Sequence, residues 1–291
     1  MRIGCDLPFF VDPDLTRAFA ERAESAGFDM LAMSEHVAAS RATADPEMPI
    51  DAPWHESFTM FGFLAAITSR LELVTGMNLV TLRHPVLVAK MAAEVDLMSK
   101  GRLRLGVSVG WNREEQLAVG VDPATRGRRI EEMVPLMRRL WEEDAVTHDG
   151  EFFTLDQVVI RPQPGRRIPI WMGAGGGGPF GGWPTDRALD RAARLFDGFR
   201  FQAPSGRDVP RVVALAHRLQ EMAAGYGRTI GIEARLLTQT MEPEQWPDAV
   251  AEYEASGVIG SVAIGNRIYG DDPVIQANLI DQVADRLLGG R

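Results

Sequence analysis

One pattern recurs along this chain and limits its fold more than any other: a helical segment, a glycine or polar break, then a short apolar run. In "DPDLTRAFAERAESAGFDMLAMS", residues 12–34, Leu15, Ala18, Phe19, Ala23 and Ala26 fall at helical spacing. Gly27 ends the helix through the left-handed conformation glycine adopts without a Cβ penalty, and "MLAMS" follows as a strand. The same order returns in "FTMFGFLAAITSRLELVTG", "PVLVAKMAAEVDLMSKGRLRLGVSV", "RALDRAARLFDGFRF" and "WPDAVAEYEASGVIGSVAI". Strand candidates fall near residues 2–7, 30–34, 71–75, 103–108, 168–172, 198–201, 232–238 and 261–264. Their apolar runs without polar alternation point to a parallel sheet covered by helices. Eight such units in 291 residues predict an α/β fold of the (β/α)8 TIM-barrel type, a single domain over 1–291, with loop insertions after strands two, four and five. A doubly wound sheet is the alternative. "AVTHDGEFFTLDQVVIRPQP" breaks the alternation and reads as a hairpin ahead of the fifth strand.

Composition narrows the function. A net charge of -9 with only two lysines, Lys90 and Lys100, provides no basic surface for phosphate backbones, so no nucleic-acid partner is expected. Cys5 is the single cysteine, which excludes an intrachain disulfide and the usual zinc spacings and fits a reducing cytoplasm. The chain opens on the strand-like "RIGCDLPF" and contains no apolar run of membrane-spanning length, so neither export nor membrane insertion is expected.

In a barrel of this kind the chemistry lies at the C-terminal ends of the strands and in the loops that follow. There stands "SEH", with Glu35 and His36 ending an apolar strand abruptly. Histidine transfers protons near neutrality and an adjacent acid orients it; a strand-end cap is the plain alternative. The glycine run "IPIWMGAGGGGPFGGW" can direct several backbone N–H groups at one anion, or form a tolerant lid. Residues 173, 175 and 178 satisfy G-x-G-x-x-G, but Pro179 and Pro184 precede the helix expected at Thr185-Asp186, and no acid ends the next strand, so the dinucleotide fingerprint is disfavoured. His84 before Pro85 marks a helix entry, His148 belongs to the hairpin and His217 to a helix, while Trp54 and His55 lie in a loop placed to cover the site. No G-x-S-x-G elbow supports a hydrolase.

Five segments in order, "AERAESAGFDMLAMSEH", "AAITSRLELVTGMNLVTLRHPVLVAKMAAEVDLMSKGRLRLGVSVGWNREE", "RGRRIEEMVPLMRRLWEED", "VTHDGEFFTL" and "RRIPIWMGAGGGG", resemble the luciferase-like flavin-dependent oxidoreductases, a (β/α)8 superfamily. The resemblance implies a flavin or deazaflavin, with Glu35 and His36 beside the reactive ring face as catalytic pair. It places a non-proline cis peptide at Thr75-Gly76, with Asn78 at the ring's polar edge. Val109, Gly110, Trp111 and Glu114 contact cofactor and substrate, and Gly173, Ala174, Gly175, Gly176, Gly177 and Gly178 hold the cofactor phosphate. Trp111 stands where relatives acting on sugar phosphates carry glutamate; with Phe9, Phe10 and Met77 it implies an apolar or aromatic small-molecule substrate. The branch most resembled uses coenzyme F-420 for hydride transfer. The alternatives are an FMN-dependent monooxygenase and a non-catalytic flavin binder. The family usually forms homodimers.

Overall fold

A computed structural model describes residues 1–41, 50–175, 182–202, 208–237, 241–265 and 272–289. The strands are β1 (Arg2–Asp6), β2 (Met30–Met33), β3 (Glu72–Thr75), β4 (Leu103–Val107), β5 (Val146–Asp149), β6 (Thr154–Val158), β7 (Ile170–Ala174), β8 (Gly198–Phe201), β9 (Gly231–Leu237) and β10 (Ser261–Gly265). Eight of them close into a parallel barrel in the order β1-β10-β9-β8-β7-β4-β3-β2, and β5 and β6 form the separate antiparallel hairpin. The expected barrel and the expected hairpin are both present. The fifth barrel strand starts two residues later than expected, at Ile170, because Pro169 contributes only its carbonyl, taken by Leu105 N–H.

The helices are α1 (Pro13–Ser25), α2 (Ser57–Ile67), α3 (Pro85–Met98), α4 (Arg113–Ala118), α5 (Arg126–Glu142), α6 (Asp186–Leu195), α7 (Val209–Gly225), α8 (Trp246–Ala255) and α9 (Pro273–Val283). Several begin with side-chain caps: Asp12 accepts from Asp14 N–H, His84 from Val86 N–H, Asn112 from Glu114 N–H and Thr185 from Ala188 N–H. No helix among the described residues is long and apolar enough to cross a membrane.

The barrel wall divides by the two-residue period of a strand. Ile3, Leu31, Leu73, Phe199, Ile232 and Val262 face outward into the main apolar core beneath the helices. The inward positions overturn the expectation of strands without polar alternation. Arg104, Arg200, Glu233 and Arg235 are buried inside the barrel with Asp6, where each charge meets an opposite one. Arg200 donates to Asp6 (2.7 Å) and lies 3.2 Å from Glu233. Arg104 donates to Glu233 (2.8 Å) and approaches Glu72 (3.3 Å). Burial opposes ionisation of Asp6, but the Arg235 and Arg200 guanidiniums outweigh it and hold its carboxyl below the usual range. Burial opposes ionisation of Glu233 too, and Arg104 and Arg200 overcome it in the same way. At the N-terminal end of the barrel Trp171 fills the interior, with Arg104 stacked 4.3 Å from its ring centre. A Cβ on Gly198 or Gly231 would overlap that ring, which explains glycine at both positions.

Candidate active site

A cavity of about 920 Å³ opens at the C-terminal ends of the strands. Its walls come from the loops after β1 (Leu7, Phe9), β2 (Ser34, Glu35, His36), β3 (Met77, Leu79) and β4 (Val109, Gly110, Trp111), from the end of β7 and the residue after it (Gly173, Ala174, Gly175), and from the N-terminal parts of α5 and α6. This is the size and place of a ligand site in such a barrel.

His36 lines the cavity, with ring neighbours Trp54 at 4.6 Å and Trp111 at 5.8 Å, both edge-on. Its Nδ1 lies 2.9 Å from Oε2 of Glu115, a residue 2% exposed. The other oxygen of Glu115 accepts the Val37 N–H at 2.6 Å. A carboxylate only accepts, so Nδ1 carries the hydrogen and Nε2 is left for the cavity. Glu115 is itself set by the Asn112 cap, whose side chain accepts from Glu114 N–H and Glu115 N–H at 2.9 and 3.1 Å.

The partner expected from the sequence, Glu35, does not touch His36. Its carboxylate accepts from Ser57 N–H (3.0 Å) and hydroxyl (2.8 Å), from Leu79 N–H (2.9 Å) and from Arg83 (2.7 and 3.2 Å). Glu35 thus ties the loop after β2 to the start of α2 and the loop after β3. Side chains alternate along an extended chain, so an acid next to His36 in sequence points the other way. Glu114 is likewise displaced from its expected place: it pairs with Arg113 (3.1 Å) and is absent from the cavity wall, while Glu115, one residue on, faces inward.

The non-proline cis bond is present one residue later than expected, at Gly76-Met77 and not at Thr75-Gly76. Thr75 donates to Gly106 O at 2.7 Å, and a Cβ on Gly76 would stand 2.6 Å from Arg200 Nη1, so both lie behind the wall and Met77 presents the surface. Asn78 is fully buried and donates to Ser57 Oγ at 2.7 Å, away from the expected ring edge; its Oδ1 has no partner among the described residues. Val109, Gly110 and Trp111 line the cavity as expected positions, with Gly110 at φ +73°. So do Gly173, Ala174 and Gly175, the last at φ +92° with Pro184 Cδ 2.9 Å from where a Cβ would sit. Gly176, Gly177 and Gly178 lie outside the described residues.

Facing Gly173–Gly175 are the first turn of α5, with Arg126 and Arg128, and the first two turns of α6, with Arg187 and Arg191, all in the lining. Arg191 is held by Glu131 at 2.8 Å, and Arg128 by Glu151. Cationic side chains beside two helix N-termini make this end of the cavity suited to an anion. Arg126 and Arg128 stand 45 or more positions before the glycines in sequence, and only the fold brings them together. Phe10, expected on the apolar wall, is buried beside Phe19 instead.

The site therefore combines an aromatic-flanked histidine with its carboxylate, an apolar wall at Met77, Leu79 and Met172, and an end lined by arginines and suited to an anion. The model of the luciferase-like monooxygenase family matches residues 2–258, and the chain belongs to that family. Members of the family are oxidoreductases and monooxygenases that use coenzyme F-420 or FMN. An uncharacterised protein of Mycobacterium tuberculosis is 33% identical over 265 residues, 86% of this chain and 87% of the relative. An F-420-dependent glucose-6-phosphate dehydrogenase of Kineococcus radiotolerans is 29% identical over 269 residues, 91% of this chain and 74% of that enzyme. Among solved structures, a monooxygenase from Streptomyces bottropensis shares the fold with a TM-score of 0.79 at 20% identity, over 99% of both chains.

Proposed function

We propose that the protein is an F-420-dependent oxidoreductase that exchanges hydride between the deazaflavin and a small, largely apolar organic substrate, with His36 handling the accompanying proton. The observation that carries this reading is the Glu115–His36 pair, which fixes one tautomer and directs Nε2 at a cavity otherwise walled by Phe9, Trp54, Met77 and Trp111. The bound coenzyme supplies hydride chemistry, because carbon replaces the flavin's reactive N5. The chain supplies the rest. Arg126, Arg187 and the N-terminus of α6, opposite Gly173–Gly175, would hold its phosphate, and Met77 would offer an apolar support to its ring. His36 Nε2 takes a proton when the substrate is oxidised and returns it in the reverse direction, and Glu115 stabilises the imidazolium in between. The two tryptophans exclude water from that transfer.

The reading extends to assembly and setting. The helix α2, "SFTMFGFLAAI", carries no charge on any face, and beside it α3 exposes Leu87, Leu97 and Met98. The apolar patch that Leu87, Leu97 and Met98 leave open requires a cover, and a second copy of the same face makes a homodimer. The proposed setting is the reducing cytoplasm, in keeping with a single buried thiol at Cys5. Absorbance titration with coenzyme F-420 and with FMN tests the cofactor assignment: saturable binding of F-420, bleached on adding a substrate, is the expected result. Tighter binding of FMN with oxygen consumption would replace it by a monooxygenase.

A further inference from the structure

The arginine-lined end of the cavity presents two separate groups of donors. Helix α5 opens on Arg126, Gly127, Arg128 and Arg129 with no acid in its first turn, a run of cations where the helix dipole favours an anion. Thr125 gives its carbonyl to the N–H groups of Arg128 and Arg129, but its side chain caps nothing, so the N–H groups of Arg126 and Gly127 have no partner among the described residues. Arg191 reaches this turn from α6. Only 6% of it is exposed, and it lines the cavity. Its Nε is held by Glu131 at 2.8 Å, which fixes the plane of the guanidinium. Gly127 leaves room for the rest: a Cβ there would stand 2.8 Å from Nη2. Neither Nη1 nor Nη2 has an acceptor among the described residues, and both keep accessible surface.

The acids nearby are committed elsewhere. Glu131 takes Arg191 Nε and, at 3.7 Å, Arg194; Glu151 takes Arg128; Glu132 accepts from Phe152 and Phe153 N–H and meets His148; Asp122 accepts from Ala124 N–H. The open end of the Arg191 fork is therefore left for a ligand. Helices α5 and α6 pack side by side, which sets their axes about 8–10 Å apart. A phosphate seated on the α6 N-terminus against Gly173–Gly175 cannot also lie within hydrogen-bond distance of the α5 turn. Two parallel N–H groups at the end of a fixed guanidinium match the two oxygens of a carboxylate. We infer that the first turn of α5, with Arg191, is a second anion subsite that takes a carboxylate, so that the coenzyme suited to this cavity is one whose phosphate continues into an acidic arm. A flavin that ends at its phosphate does not reach it. The inference rests on the reading of this end of the cavity as the phosphate site, but its test needs neither coenzyme nor turnover.

Three small phosphonates, titrated calorimetrically into the whole protein without bound flavin, separate the outcomes. In 6-phosphonohexanoate the chain spans the two subsites, in 3-phosphonopropionate it is too short, and hexylphosphonate lacks the carboxylate. The wild type should bind 6-phosphonohexanoate about tenfold or more tightly than either of the others, as one charge-assisted fork allows. Arg191→Met should cut that preference to about twofold or less and leave hexylphosphonate within about twofold of the wild type, with Glu131 still beside Arg194. Gly127→Leu, which keeps every charge and covers the fork, should remove the preference in the same way. Equal binding of 6-phosphonohexanoate and either comparison compound, failure of all three to bind, or a preference that survives either substitution would overturn the inference. An equal loss for all three compounds in Arg191→Met would assign Arg191 to the phosphate and overturn it as well. The expected preference together with no binding of F-420 would leave the subsite standing and count against the coenzyme reading alone.

Discussion

Replacing Glu115 by glutamine changes one atom type and should invert the chemistry of His36. In the native site Oε1 accepts the Val37 N–H at 2.6 Å and Oε2 faces His36 Nδ1 at 2.9 Å. The introduced amide has one acceptor, and the Val37 N–H, fixed in the backbone, requires it. The amide NH2 is then left opposite Nδ1, and two donors cannot share that contact. The imidazole answers by moving its hydrogen to Nε2, the nitrogen turned to the cavity, where it can no longer take a proton. Lost with it is a charged hydrogen bond to the imidazolium, about 1.5–3 kcal/mol, and the acid-base contribution of about 10² to 10⁴ in rate. Single-turnover stopped-flow bleaching of F-420 should therefore slow by about 10²- to 10⁴-fold, with coenzyme affinity within about threefold of wild type. Imidazole ¹⁵N chemical shifts report the tautomer independently of any substrate. A rate retained within about threefold, in a variant whose shifts show the hydrogen on Nε2, would refute the role given to His36; unchanged shifts would refute the geometric premise.

Glu233→Gln leaves Arg104 and Arg200 buried with one fewer anion and should cost roughly 3–5 kcal/mol in chemical denaturation, whereas the same change at exposed Glu21 should cost about 0.5 kcal/mol or less. Asp6 and Glu233 both have carboxyls held below their ordinary range, so their contribution is complete above the unfolded value near 4 and is lost as pH falls through the lower folded values. Wild-type denaturation midpoints should accordingly fall steeply below about pH 4, and less steeply in Glu233→Gln. For the homodimer, light scattering should give twice the 32.0 kDa chain mass, and Leu87→Glu with Met98→Glu should give the monomer. A wild-type monomer at micromolar concentration removes that part of the reading.

The barrel strands were legible because each is bounded by glycine or polar breaks and its outward face is aliphatic. Their inward charges were present in plain sight, as Arg104 in "LRLGV", Arg200 in "GFRF" and Glu233 and Arg235 in "GIEARLL". What the sequence withholds is the pairing: Asp6 meets Arg200 across 194 positions and Arg104 meets Glu233 across 129. The same limit explains the acid at the site. Glu35 adjoins His36 in sequence and is separated from it by strand alternation, whereas Glu115 lies 79 positions away and arrives through the Asn112 cap of α4. "WNREE" shows the cap and two candidate acids, and only the helix direction chooses between Glu114 and Glu115. Asn78 and Gly76 were placed near the ring by resemblance; burial assigns them to the wall behind Met77.

Trp171, seated where Gly198 and Gly231 leave room for its ring, closes the N-terminal end of the barrel. The cavity above is thereby a vessel with one mouth. Where two ligands share it with one lodged beneath the other, the deeper one must enter first and leave last. A steady-state analysis of the proposed reaction should therefore show an ordered sequence, with parallel lines and random-order patterns both absent. The plug at the far end of the barrel would then govern the kinetics at the near end without touching either reactant.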